Sequence, residues 1–127
     1  MNMSQNTSAL LDDGDIALLL DIANLACHKG MPAEARTIVD GVLAVRPGFV
    51  PARITLAFSH LVVDDFDKAL DILNPLLEQR PDDADARIME GLTHLLAGRS
   101  RDADEAFAHI PEHCPQKQLA AELARAL

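Results

Sequence analysis

Tryptophan and tyrosine are missing from this 127-residue chain, and phenylalanine occurs four times, at Phe49, Phe58, Phe66 and Phe107. A core with so few large rings is filled by Ala, Leu, Ile and Val, a palette that suits closely packed helices. Basic residues are scarce as well: 11 Lys and Arg stand against 20 Asp and Glu, a formal net charge of -9. That balance repels phosphate backbones and anionic lipid headgroups, so neither nucleic acid nor a membrane surface is an expected partner. Long apolar runs are missing too, since Ile16 to Leu20 and Leu61 to Val63 are far too short to span a bilayer. The two cysteines, Cys27 and Cys114, show no metal-ligand spacing, and Met1-Asn2-Met3-Ser4 does not open a basic-then-apolar leader. The expectation is a cytoplasmic protein with free thiols.

What the chain does have is a period of 34. Pro47, Pro81 and Pro115 recur at that interval, and Ala35, Ala69 and Ala103 keep the same register. Small residues at Ala23, Ala57 and Gly91 form a third column, turn residues at Gly30, Asp64 and Gly98 a fourth, and Ala52-Arg53-Ile54 returns as Ala86-Arg87-Ile88. The repeats are Ile16–Phe49, Val50–Asp83 and Ala84 to about Lys117. Each supplies a helix, a short turn and a second helix, and Ala or Gly at the facing positions lets the two backbones approach closely. Pro32 and Pro51 fit first helical turns, and Asp64 and Asp65 ahead of Phe66 fit a cap. Helices are predicted over 14–29, 33–45, 51–63, 67–79, 84–97, 101–110 and 116–127, with Pro75 bending the fourth and Pro111 cutting the sixth short. Residues 116–127 read as an amphipathic cap on a single domain spanning 13–127, and residues 1–12 as a flexible tail.

The pattern resembles the tetratricopeptide repeat, an aromatic-x2-Leu-Gly-x2-Tyr, then Ala-x3-Phe, then Pro. The first copy reads Leu19, Ile22, Ala23, Ala26, Ala35, Val39, Pro47; the second Arg53, Leu56, Ala57, His60, Ala69, Leu73, Pro81; the third Arg87, Glu90, Gly91, His94, Ala103, Phe107, Pro115. It departs from the family in its missing aromatics and in the polar Arg53, Arg87 and Glu90. The resemblance implies an all-α, right-handed solenoid of three repeats that binds other polypeptides on its concave side.

In such a stack the first helix of each repeat lines the concave surface, and three columns are expected there: Leu20, Ile54 and Ile88; Asn24, Phe58 and Leu92; Cys27, Leu61 and Leu95. Their i, i+4, i+7 spacing puts each set on one helix face, and all but Asn24 are apolar or thiol. Members of the family that grip an acidic C-terminal tail resemble one another in presenting Lys, Arg and Asn at these positions, a set missing here. The stripe is read as a groove for an amphipathic helix, or alternatively as a contact between two copies in a homodimer or other self-associating assembly. Small size, acidic charge and an apolar groove are similar to the cytosolic chaperones of bacterial type III secretion, especially those of needle subunits. Ala52-Arg53-Ile54, the run from Phe66 to Leu70, and Cys27-His28 ahead of Glu34-Ala35 share that flavour. That resemblance implies a secreted helical subunit as guest, sometimes with a small second co-chaperone; the alternative is a general tetratricopeptide-repeat scaffold or adaptor, or a self-associating assembly protein, not tied to secretion.

Chemistry is not expected. His60 and His94 read as packing substitutes for the repeat's Tyr, and Pro111 separates His109 from His113 and Cys114, so no metal is assigned. Cys27 and His28, adjacent on a helix, diverge and do not pair as nucleophile and base. The clusters around Asp12, Asp64 and Asp82 sit at helix starts, where they complement the macrodipole. With no Gly-rich phosphate loop, GxSxG or HExxH in the chain, it reads as a binding module, with no enzyme activity and no cofactor.

Overall fold

The computed structural model describes residues 11–126, and within them the chain forms seven α-helices and no strand. These are α1 (Asp13–His28), α2 (Pro32–Val45), α3 (Val50–Leu61), α4 (Phe66–Gln79), α5 (Ala84–Leu96), α6 (Ser100–Ala108) and α7 (Gln116–Ala126). Consecutive helices pack as hairpins, α1 on α2, α3 on α4 and α5 on α6, and each second helix also packs on the first helix of the next hairpin. The first helices α1, α3 and α5 touch in series, and α7 closes the far end against α5 and α6. The result is the all-α helical-repeat solenoid expected from the period.

Local signals explain where the helices start. Asp12 and Asp15 form a capping box: Asp12 Oδ1 accepts from the Asp15 N–H at 2.8 Å and Asp15 Oδ2 from the Asp12 N–H at 3.1 Å. Asp65 and Asp83 cap α4 and α5 by accepting from the N–H groups of Lys68 and Ala86. Pro32 and Pro51 occupy first turns, where a missing N–H costs nothing. One carboxylate of each acidic cluster is therefore a cap.

The turn after each first helix needs a left-handed residue. Gly30 and Gly98 supply it at φ 75° and 80°, and Asp64, at the equivalent place, adopts φ 62°. This turn ends α3 at Leu61, two residues before the predicted end. Near Pro111, α6 stops at Ala108 rather than 110, and Ile110 then tucks into the core. Pro75 lies within α4, which continues as one helix to Gln79. Of the expected tail, residues 1–10 lie outside the described residues; Leu11 packs against the first core cluster.

The columns make the core. Ala35, Ala69 and Ala103 are fully buried, as are Ala23 and Ala57, and Gly91 completes their row. Around them sit three clusters, one per repeat, in which Val39, Leu73 and Phe107 hold equivalent positions. Every buried side-chain N or O among the described residues has a hydrogen-bond partner.

Candidate binding groove

A concavity of about 890 Å³ runs across α1, α3 and α5. Four columns of the 34-residue period form its wall: Ala17, Pro51 and Asp85; Leu20, Ile54 and Ile88; Asp21, Thr55 and Met89; Asn24, Phe58 and Leu92. His28 closes one end, its ring edge-on to Phe58 with centroids 5.2 Å apart, and Val50, Arg80 and Asp83 stand at the margin.

Six of the nine expected groove residues line this wall: Leu20, Asn24, Ile54, Phe58, Ile88 and Leu92. Cys27, Leu61 and Leu95 do not. Cys27 and Leu61 are each 2% exposed and belong to the core, and Leu95 packs against the third cluster. The reason is rotational. Seven residues make two turns less about 20°, so position 27 falls behind position 20 while position 24 advances about 40° from it. On α1 the buried face is Ile16, Leu20, Ala23 and Cys27, and the groove face is the neighbouring strip Ala17, Asp21, Asn24 and His28. Leu20 sits on the border, 6% exposed.

The two columns missed from sequence, through Ala17 and through Asp21, carried a signal in the same 34-residue register. Their mixture of Ala, Pro, Thr, Met and Asp hid it, because neither column is predominantly apolar. Thr55 is buried despite its polarity because its hydroxyl donates to the Pro51 carbonyl at 3.1 Å.

Burial pushes the Cys27 thiol above its ordinary value, more than the Arg36 charge lowers it, so this sulfur is a packing group. Among the described residues no three His, Cys, Asp or Glu side chains are placed to hold a metal ion. His94 Nδ1 accepts from Arg99 Nε at 3.1 Å, and His109 and His113 are exposed. No described helix is long and apolar enough to cross a membrane.

Residues 29–90 match the family model of the tetratricopeptide repeat. Over these residues the chain is similar to that family, and the all-α helical-repeat solenoid described above is consistent with it. The match runs from the first turn to the middle of α5 and takes in the whole of the middle repeat. Tetratricopeptide repeats are in general protein-interaction modules, which supports a protein-binding role for this chain. No curated protein and no solved structure matches it.

Proposed function

We propose that the groove holds an amphipathic helix of another polypeptide, and that the protein serves as a cytoplasmic chaperone for that helix. The observation that carries this reading is the apolar floor: Ile54, Phe58, Ile88 and Leu92, from two adjacent repeats, stand half-buried along one concavity. Apolar side chains shared between core and solvent in this way suit a second partner. A guest helix covering roughly 500 Å² of apolar surface gains on the order of 12 kcal/mol, most of it offset by association and ordering costs. Micromolar to nanomolar affinity is in range. The small acidic chain and its apolar groove also support the finer reading, a type III secretion subunit kept from polymerising until export.

The test is a labelled uncharged helix with a leucine stripe, titrated by fluorescence anisotropy. Phe58→Asp and Leu92→Asp each place an unpaired charge in the contact and are expected to weaken binding by about a hundredfold or more, with helical circular dichroism retained. Undiminished binding by both folded variants would move the partner site off the groove. The alternative of self-assembly takes the same concave stripe as a contact between two copies; a separate exposed apolar stripe on α1, Leu18, Ile22 and Leu25 at 59%, 44% and 55% exposure, is a second surface on which copies could meet. Sedimentation separates the two readings: a fall to monomer in Phe58→Asp with no guest present assigns the groove to self-contact, whereas a loss of mass in Leu18→Asp but not in Phe58→Asp assigns assembly to α1 and leaves the groove for a guest.

A further inference from the structure

The charges around the groove narrow the class of guest. The middle helix α3 contributes Ile54, Thr55 and Phe58 and no charge, whereas α1 brings Asp21 to one wall and the start of α5 brings Asp83 and Asp85 to the other. An apolar floor is thus flanked by carboxylates on both sides. Against these three stands one guanidinium, Arg80. Two further guanidiniums are paired with other carboxylates, Arg46 with Asp13 at 2.6 Å and Arg87 with Glu90 at 3.0 Å. Asp21, Asp83 and Asp85 form no ion pair among the described residues.

Two of the three are held in place. Asp83 Oδ1 accepts from the Ala86 N–H and Asp85 Oδ1 from Gln116 Nε2, each at 3.0 Å, which leaves the second oxygen of each without a partner among the described residues. A carboxylate already oriented loses little side-chain freedom when a cation arrives. The net charge of -9 adds attraction at longer range.

We infer that the guest is a basic amphipathic helix, its apolar stripe seated on Ile54 and Phe58 and flanked on both sides by Lys or Arg that meet Asp21 and the Asp83–Asp85 pair. This rests on the reading of the groove as a helix-binding site. Exposed pairs of this kind are weak singly, about two- to fivefold each, and salt-sensitive, so together they select among helices rather than supply most of the affinity.

The probes are three synthetic helices of about 18 residues, five turns, sharing one leucine stripe and differing only in Lys, Gln or Glu on either side of it. Anisotropy in low salt is expected to rank them Lys over Gln over Glu, the first step about tenfold. Raising the salt to about 0.5 M is expected to erase most of that step. The paired substitution Asp21→Asn and Asp85→Asn, which keeps size and one acceptor oxygen on each side chain while removing the charge, is expected to remove most of the Lys advantage and leave the Gln helix unchanged. Equal binding of all three helices would overturn the inference and leave the groove reading intact. A Lys preference that survives the Asn pair would also overturn it, by tracing the preference to the chain's overall charge. If none of the three binds, the groove reading itself fails, and the inference with it.

Discussion

The middle and last repeats perform the same packing with different residues. In the middle repeat Ala57 on α3 faces a row in which Leu73 holds the matching place on α4; in the last, Gly91 on α5 lies under Phe107 on α6. A Cβ at position 91 would overlap Cε1, Cδ1 and Cζ of the Phe107 ring. The small column loses a methyl where the large column gains a ring, so the sum is kept while the division changes. The junctions between repeats differ as well. Arg36 on α2 reaches α3, where its Nε donates to Ser59 Oγ and its Nη2 to the Ser59 carbonyl, both at 3.0 Å. One repeat later the same positions hold Leu70 and Thr93.

Backbone geometry explains that second difference. The Thr93 carbonyl is satisfied by the Ala97 N–H at 3.0 Å, but the equivalent N–H, Val63, goes to His60 instead. Ser59 is left with an orphan carbonyl of the last helical turn, and Arg36 supplies the missing donor. A solenoid can therefore vary its joints one by one, provided each joint fills its volume and pairs its polar groups.

The most direct way to break the comparison is Gly91→Ala. Overpacking under the ring is expected to cost about 3 kcal/mol, offset by about 1 kcal/mol of helix propensity, for a net loss of about 2 kcal/mol. In a chain of this size that lowers the melting temperature by about 6–10 °C. Phe107→Leu in the same molecule recreates the Ala57 and Leu73 division and is expected to recover most of the loss, although Phe107→Leu alone destabilises by opening a cavity. Thermal unfolding of the four-member cycle measures the coupling. Additive effects would show that the two columns do not compensate.

A smaller effect is expected at the junction. Arg36→Ala removes the donor from the Ser59 carbonyl and costs about 1 kcal/mol, limited because Arg36 is only half-buried and water reaches part of the site. The change Arg36→Leu with Ser59→Thr copies the next junction in its side chains but not in its backbone, so it is expected to stay less stable than the parent. Chemical denaturation that returned full stability would mean side-chain volume alone sets the joint, and the orphan carbonyl would carry no weight.

Much of this was legible in the residues, for definite reasons. The 34-residue columns of Ala and Pro fix hairpin register, and Asp12, Pro32, Pro51 and Asp83 mark helix starts by chemistry that is local. The groove was legible only in part. Core and groove strips on α1 are one residue apart in phase, and the buried Cys27 is as apolar as Leu20, which does reach the groove, so hydrophobicity alone could not orient the helix. Acidic residues at helix starts read as caps, and Asp83 is one; that Asp83 and Asp85 also border the concavity depends on how α5 is stacked against α3. Asp64 in a glycine's conformation was foreshadowed by its column alone.

The last difference between the junctions is electrostatic and the smallest. His60 follows Ser59, and its imidazole is held below the ordinary value first by burial and then by the Arg36 charge, with Lys68 acting in the same direction and Asp65 against it. A base whose folded pKa lies below its unfolded one is bound by fewer protons in the fold than in the open chain. Its contribution to stability is therefore complete above the unfolded value, about 6.5, and is lost as pH falls through the folded value. Replacing Arg36 by Leu takes away one of the lowering causes but leaves burial, so the His60 titration followed by NMR is expected to move upward while remaining below the ordinary range. The portion of acid destabilisation that His60→Gln abolishes in the parent should shrink accordingly in the Arg36→Leu background. A His60 titration indifferent to Arg36 would mean that solvent screens the guanidinium from the ring, and that Arg36 acts at this junction through its hydrogen bonds to Ser59 alone.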